Sequence, residues 1–260
     1  MPSCYTHQFY ANKILELIDN KIKNKITNKE LYLDGALGPD PLYFYLSVKG
    51  LSLYKKSCEL HNKGIYNILT KAKNSNDKDY ISFVFGLLTH YILDKNIHKY
   101  IYEVNPTNDL HILIESELDK RLALKYYDKK IKFHKDIKYK KLNFSFINNI
   151  YNITPYQMKN SLFMMRNAIS YSMTYNKLKR FIFKSFLIIS FKNNKYKDLQ
   201  IKCNDDHRVD KFLLDINNII NKSIEEIVLR FNEYNDYLDN KIEDISFGNK
   251  YNFEGQYIEE

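Results

Sequence analysis

Residues 81–101 read ISFVFGLLTHYILDKNIHKYI, a stretch in which apolar side chains recur every three to four positions from Ile81 to Ile101. That spacing predicts a helix. Three of its polar residues, His90, Asp94 and His98, follow one another at intervals of four. On a helix, residues i and i+4 lie one above the other, rotated by about 40°. His90 and Asp94 can therefore reach one cation together, while His98, a turn further on, suits a neighbouring one. His111 and Glu115 repeat the spacing on a second helix expected from about Leu110 to Tyr127, opened by Pro106 and the polar cluster Thr107-Asn108-Asp109. The loop at Pro106 allows the two helices to fold back antiparallel.

The pattern on either side is helical as well. Phe9, Ile14, Leu15, Leu17 and Ile18 predict a first helix, and Leu51, Tyr54, Cys58, Ile65, Ile68 and Leu69 a second. Pro155, after Thr154, starts another, and two more are expected near Lys177 to Phe191 and Asp210 to Leu238. No glycine occurs from Leu87 to Phe247, where Pro106 and Pro155 are the only prolines. Tight hairpins prefer glycine at positive φ, so this gap favours helices. The fold class expected is all-α, a multi-helix bundle with one interruption. Between Lys130 and Lys140, Ile131, Phe133, Ile137 and Tyr139 alternate with Lys130, Lys132, His134, Lys138 and Lys140. A period of two predicts a short extended or β flap. The expected organisation is a metal-binding helical part over 1–126, a basic flap and connector over 127–153, C-terminal helices over 154–247 packing on the first part, and a loop or frayed tail over 248–260.

A chain of 260 residues with 44% hydrophobic and 27% charged residues is long enough for a sizeable core and too apolar for general disorder. Its net charge of +9 is carried mainly by lysine, with arginine only at positions 121, 166, 180, 208 and 230. A nucleic-acid reader would lean on arginine, whose fork matches phosphate and guanine, so no specific nucleic-acid partner is expected. From Lys120 to Lys141, ten cations face only Asp128 and Asp136, a local +8. Cys4, Cys58 and Cys203 are odd in number and widely spaced, which indicates neither a disulfide framework nor a thiolate zinc motif. The start Met-Pro-Ser-Cys-Tyr-Thr-His shows no basic and then apolar leader, and the most apolar window, Phe181 to Phe191, is broken by Lys184 and short of the ~20 residues of a spanning helix. A cytoplasmic location is the expectation.

Imidazole with carboxylate, and no thiolate, suits zinc at a catalytic site, and two metals close together form a clamp for a phosphodiester. One His/acid pair at i,i+4 is commonly a surface interaction. Two such pairs within 26 residues, joined by His98, point to metal.

Five ordered pieces carry a closer identification: His7, the loop Gly38-Pro39-Asp40, His61, the run His90-Tyr91-Ile92-Leu93-Asp94-Lys95-Asn96-Ile97-His98, and His111 with Glu115. Together, over residues 3 to 125, they resemble the zinc-dependent phospholipase C family, an all-helical fold distantly shared with fungal single-strand zinc nucleases. The resemblance implies that His61, His90 and Asp94 hold one zinc and that His98, His111 and Glu115 hold a second. It implies a third zinc on His7, bridged through Asp94, and a catalytic acidic residue at Asp40 that orients or deprotonates the attacking water. Zinc suits the task because it lowers the pKa of bound water to ~7 and places positive charge at the transition state. The chain departs from the family's secreted members at the N-terminus. There a processed tryptophan completes the third site, and this chain has no tryptophan. Met1 or Pro2 is the substitute within reach, and the third zinc stays open.

The function expected is zinc-dependent phosphodiester hydrolysis of the phospholipase C type, acting on phospholipid. The alternatives are a nuclease-like phosphodiesterase and a non-catalytic metal-stabilised interaction module, against which Asp40 weighs, since a structural site needs no water-activating acid. Lys130, Lys132, Lys138 and Lys140 of the flap are candidates for contact with an anionic membrane surface, at ~1 kcal/mol per lysine, against the plainer expectation of a solvated edge. His134 and His207 are expected to be solvated, and Met164 and Met165 to fill core.

Overall fold

The computed structural model describes residues 4–47, 51–105, 107, 109–126, 135, 137–189, 197–201 and 204–258. Its centre is the helix that the 81–101 run predicts, longer than expected at Lys78–Val104. Asp77 caps it, its side chain accepting from the backbone N–H groups of Asp79 and Tyr80, and it stops two residues short of Pro106, which could not continue it. Buried residues occur on every side of this helix, the mark of an element surrounded by others.

In chain order the helices are α1 (Cys4–Leu17), α2 (Asn20–Lys23), α3 (Lys29–Gly35), α4 (Tyr54–His61), α5 (Tyr66–Lys73), α6 (Lys78–Val104), α7 (His111–Tyr126), α8 (Ile147–Tyr151), α9 (Pro155–Ser172), α10 (Lys177–Ile189) and α11 (Asp210–Leu238), with a 3₁₀ turn at Asp40–Phe44. Helices α1, α3, α5 and α11 pack directly on α6. Among the described residues there is no strand, so the fold is all-α, with isolated bridges at Leu46 with Ser52 and Tyr251 with Tyr257.

The closest crossing is α3 on α6, and glycine makes it possible. A Cβ on Gly86 would stand 2.8 Å from the Ala36 amide nitrogen, and one on Gly35 2.9 Å from the Phe83 carbonyl carbon. Without side chains there, the two backbones touch, and the turn after α3 is pressed against the middle of α6. On the opposite flank α11 is latched to α6 by polar pairs. Lys95 meets Glu226 at 2.6 Å, Asn96 donates to Ser223 and Glu226, and Tyr100 donates to Asp215. One hydrophobic core runs from Cys4 in α1 to Phe253 near the C-terminus.

Three expectations change. The helix expected over 51–69 is two, α4 and α5, broken at Asn62-Lys63-Gly64. Gly64 admits the Gly248 carbonyl, which accepts from the Tyr66 N–H, so a tertiary contact takes over where the helix would have continued. Residues 248–258 of the tail are loop, held in place rather than frayed: Phe253 is buried, its N–H donates to the His61 carbonyl, and Tyr91 donates to the Tyr251 carbonyl. The local +8 also overstates the free charge. Lys120 is wholly buried against Glu117 and Asp205, and Arg121 is paired with Asp210. Most of the flap, including Lys130, Lys132 and His134, lies outside the described residues. In its described part Ile137 is buried and Lys138 and Lys140 are exposed, in irregular chain rather than a strand.

Candidate metal centre

Helix α6 presents His90, Asp94 and His98 along one stripe, and the elements around it add the rest. Asp94 is the hub. Its Oδ1 lies 3.0 Å from His7 Nε2 of α1, and its Oδ2 lies 3.1 Å from His90 Nε2, 3.9 Å from His61 Nε2 of α4 and 4.0 Å from His98 Nδ1. Asp40, at the start of the 3₁₀ turn, brings Oδ1 to 3.1 Å from His61 Nε2. On α7, Glu115 Oε1 stands 3.0 Å from His111 Nε2 and 3.2 Å from His98 Nε2.

These atoms form two compact groups. Asp40, His61, His90 and Asp94 each offer a donor atom within 4.8 Å of the others, and so do His98, His111 and Glu115. All but His111 are almost completely buried, and His111 marks the solvent end. His7 reaches the first group through the second oxygen of Asp94, so every residue singled out from the five sequence pieces meets in one place. Lys138 and Lys140 are not among them.

A cation fits this donor set on grounds of geometry. Three carboxylates and five imidazoles packed together in low dielectric need either protons or a metal between them. His90 Nε2 is 3.1 Å from Asp94 yet makes no hydrogen bond, and neither ring nitrogen of His90 has a partner. A nitrogen and a carboxylate oxygen close together but out of line for a hydrogen bond are disposed to share a third atom. The donors are nitrogen and oxygen only; Cys4 and Cys58 are outside both groups.

Supporting contacts orient the rings. His61 Nδ1 lies 2.8 Å from the Ser57 carbonyl, which makes it the protonated nitrogen and leaves Nε2 for the centre. Burial would push the Asp94 and Glu115 carboxyls up. The surrounding histidines help to outweigh it, His90, His98 and His7 for Asp94 and His111 and His98 for Glu115, and both lie well below the usual carboxylate range. The ionised form this favours is the one a metal ligand requires.

Two residues that the sequence reading missed belong to this neighbourhood. Glu254, in the C-terminal loop, places Oε2 3.1 Å from His98 Nδ1, off the line of a hydrogen bond, and accepts a 2.6 Å hydrogen bond from Tyr102. Nothing in the sequence near 254 signals this, because the loop has no periodicity and meets α6 only in three dimensions. Asp119 on α7 caps the start of α1, accepting from the Tyr5 N–H at 3.2 Å and from the Thr6 N–H and hydroxyl at 2.8 and 2.6 Å. It thereby fixes the turn that carries His7. Its position one further helical turn beyond His111 and Glu115 was a readable signal.

The family model for zinc dependent phospholipase C matches residues 6–165, the span that holds every residue of both groups. No curated protein and no solved structure shows significant similarity to the chain.

Proposed function

The chain belongs to the zinc-dependent phospholipase C family, and from that membership we propose that it hydrolyses the glycerol-side phosphodiester bond of a phospholipid at the centre built on α6. The observation that carries this reading is the pair of nitrogen and oxygen groups set side by side along α6, with Asp94 at their junction. His61, His90 and Asp94 are suited to hold one zinc, and His98, His111 and Glu115 a second. His7, opposite the other oxygen of Asp94, is suited to a third. Zinc supplies positive charge against the phosphoryl oxygens and makes water more acidic.

The protein's own part is to arrange and to move protons. In the metal-free protein Asp40 is held beside His61 with its carboxyl kept low: burial opposes this, and the hydrogen bond from His61 Nε2 and the neighbouring His90 help to outweigh it. An ionised carboxylate there accepts or steers the proton of the attacking water while the bond from phosphorus to the glycerol oxygen breaks. Glu254 faces the His98 nitrogen turned away from Glu115 and steadies that ring. Burial among α1, α4, α6 and α7 excludes bulk water and strengthens each of these interactions.

The test is metal analysis of the purified full-length protein beside assays on a short-chain phosphatidylcholine, a generic aryl phosphodiester and a dinucleotide. Two or more zinc ions per chain with release of phosphocholine is the expected result. Cleavage of the dinucleotide alone would move the substrate to nucleic acid, and a chain that binds no metal would overturn the reading.

A further inference from the structure

Helix α10 turns its apolar side outward. Of its 13 residues only Phe183 and Leu187 are buried, where it rests on α9, while Leu178, Phe181, Phe186 and Ile189 are 68%, 67%, 62% and 77% exposed and Ile182 and Ile188 are exposed as well. At about 100° per residue, these six span one arc of about 160°, with Leu178 and Ile189 near its centre and Ser185 the one polar residue inside it. Exposed Lys177 and Lys184 border the arc beside Phe181 and Ile188, and Lys179 borders it beside Phe186. No acidic residue occurs in the helix.

Six large apolar side chains on one outward face are more than scattered surface residues, and such a patch marks a site of interaction. We propose that α10 docks the protein on a phospholipid surface, its apolar arc sunk among the acyl chains and its cations at headgroup level. Charge selects this occupant. Two copies of the chain meeting through this face would bring two wholly basic helices together, whereas an anionic lipid surface is attracted to them and lets lysine stems extend toward the headgroups. The helix is too short and too charged to span a bilayer, and no described helix is long and apolar enough to do so. Helix α9 seats both α10 and the 3₁₀ turn that carries Asp40, and the Leu46 N–H beyond that turn meets Met164 of α9, so a lipid-bound α10 lies one helix away from the centre.

The proposal rests on the reading that the substrate is phospholipid, but its test reads binding rather than turnover. The chain has no tryptophan, so Phe186→Trp introduces a lone reporter. With the zinc-loaded full-length protein and vesicles of phosphatidylcholine with or without phosphatidylserine, its emission should shift to the blue, more so with the anionic lipid. In co-sedimentation, Phe181→Ser with Phe186→Ser should weaken vesicle partition about a hundredfold, roughly tenfold per ring. Lys177→Gln with Lys184→Gln should weaken it about tenfold or more on anionic vesicles only. Circular dichroism of each variant checks the fold, which exposed positions should leave intact. An unshifted emission, or partition indifferent to all four changes, overturns the proposal. So does a parent protein that is a dimer in solution and becomes a monomer in the serine variant. Docking without cleavage of any lipid would sink the substrate reading and leave the surface standing, and cleavage of short-chain lipid without docking would do the reverse.

Discussion

Gly38 is the point at which a single methyl group should reach the metal centre. It sits at φ +57°, in the left-handed region, and a Cβ there would lie 2.6 Å from His90 Cγ and nearer still to Cδ2 and Nε2. Gly38→Ala therefore carries two costs. The backbone conformation costs an alanine ~1–2 kcal/mol. The ring of His90, wholly buried, must retreat by about 1 Å to restore an ordinary carbon contact of ~3.5 Å, an overpacking cost of ~1–3 kcal/mol. The sum is ~2–5 kcal/mol, or about 4–10 °C in Tm for a chain of this size. A displacement of that size also exceeds the ~0.2 Å tolerance of a zinc ligand, so the zinc nearest His90 should be lost. Calorimetry with zinc analysis after dialysis reads both effects. In a double-mutant cycle, His90→Ala should relieve part of the cost of Gly38→Ala, with a coupling of ~1–3 kcal/mol. A Gly38→Ala protein that keeps the parent's zinc content and melts within about 2 °C of it would refute the reasoning.

Three further outcomes are expected. Asp40→Asn should keep the zinc content and lose nearly all turnover in the phosphatidylcholine assay; loss of one zinc would instead make Asp40 a ligand. Asp119→Ala leaves three donors at the start of α1 without their acceptor and should lower stability by ~2–4 kcal/mol in urea unfolding, with most of it recovered by Asp119→Asn; a change below about 0.5 kcal/mol would remove Asp119 as a cap. Burial alone would push the Glu254 carboxyl up, but the facing His98 and Tyr102 hold it down at about 2. A depressed folded-state pKa means stability that is present above the ordinary glutamate range and lost as pH falls through about 2. In metal-free protein, Glu254→Gln should therefore melt below the parent at neutral pH, with the gap closing on acidification, and zinc affinity should fall by about 10- to 100-fold. A gap that is absent or independent of pH would deny Glu254 this role.

The parts of this protein readable in one dimension are those whose physics is local. The interval of four between His90, Asp94 and His98 and between His111 and Glu115 places side chains on one stripe whatever surrounds the helix, because helical geometry depends on the backbone alone. The all-α class follows likewise from apolar spacing and the long stretch without glycine. Contacts between distant segments were not legible. Helices α4 and α5 part at Gly64 because Gly248, far along the chain, occupies the space and takes the Tyr66 hydrogen bond. Gly38 reads as a turn residue in sequence, and only the crossing of α3 on α6, allowed by Gly35 and Gly86, makes it the floor beneath His90. Glu254 comes to His98 through a loop with no period to read, held by hydrogen bonds to Tyr91 and His61. The apolar run at Phe181 to Ile189 would suit a buried helix as well as an exposed one, since periodicity records that a face is apolar and not what lies against it. Burial is a property of the packed chain, and packing left that face of α10 uncovered.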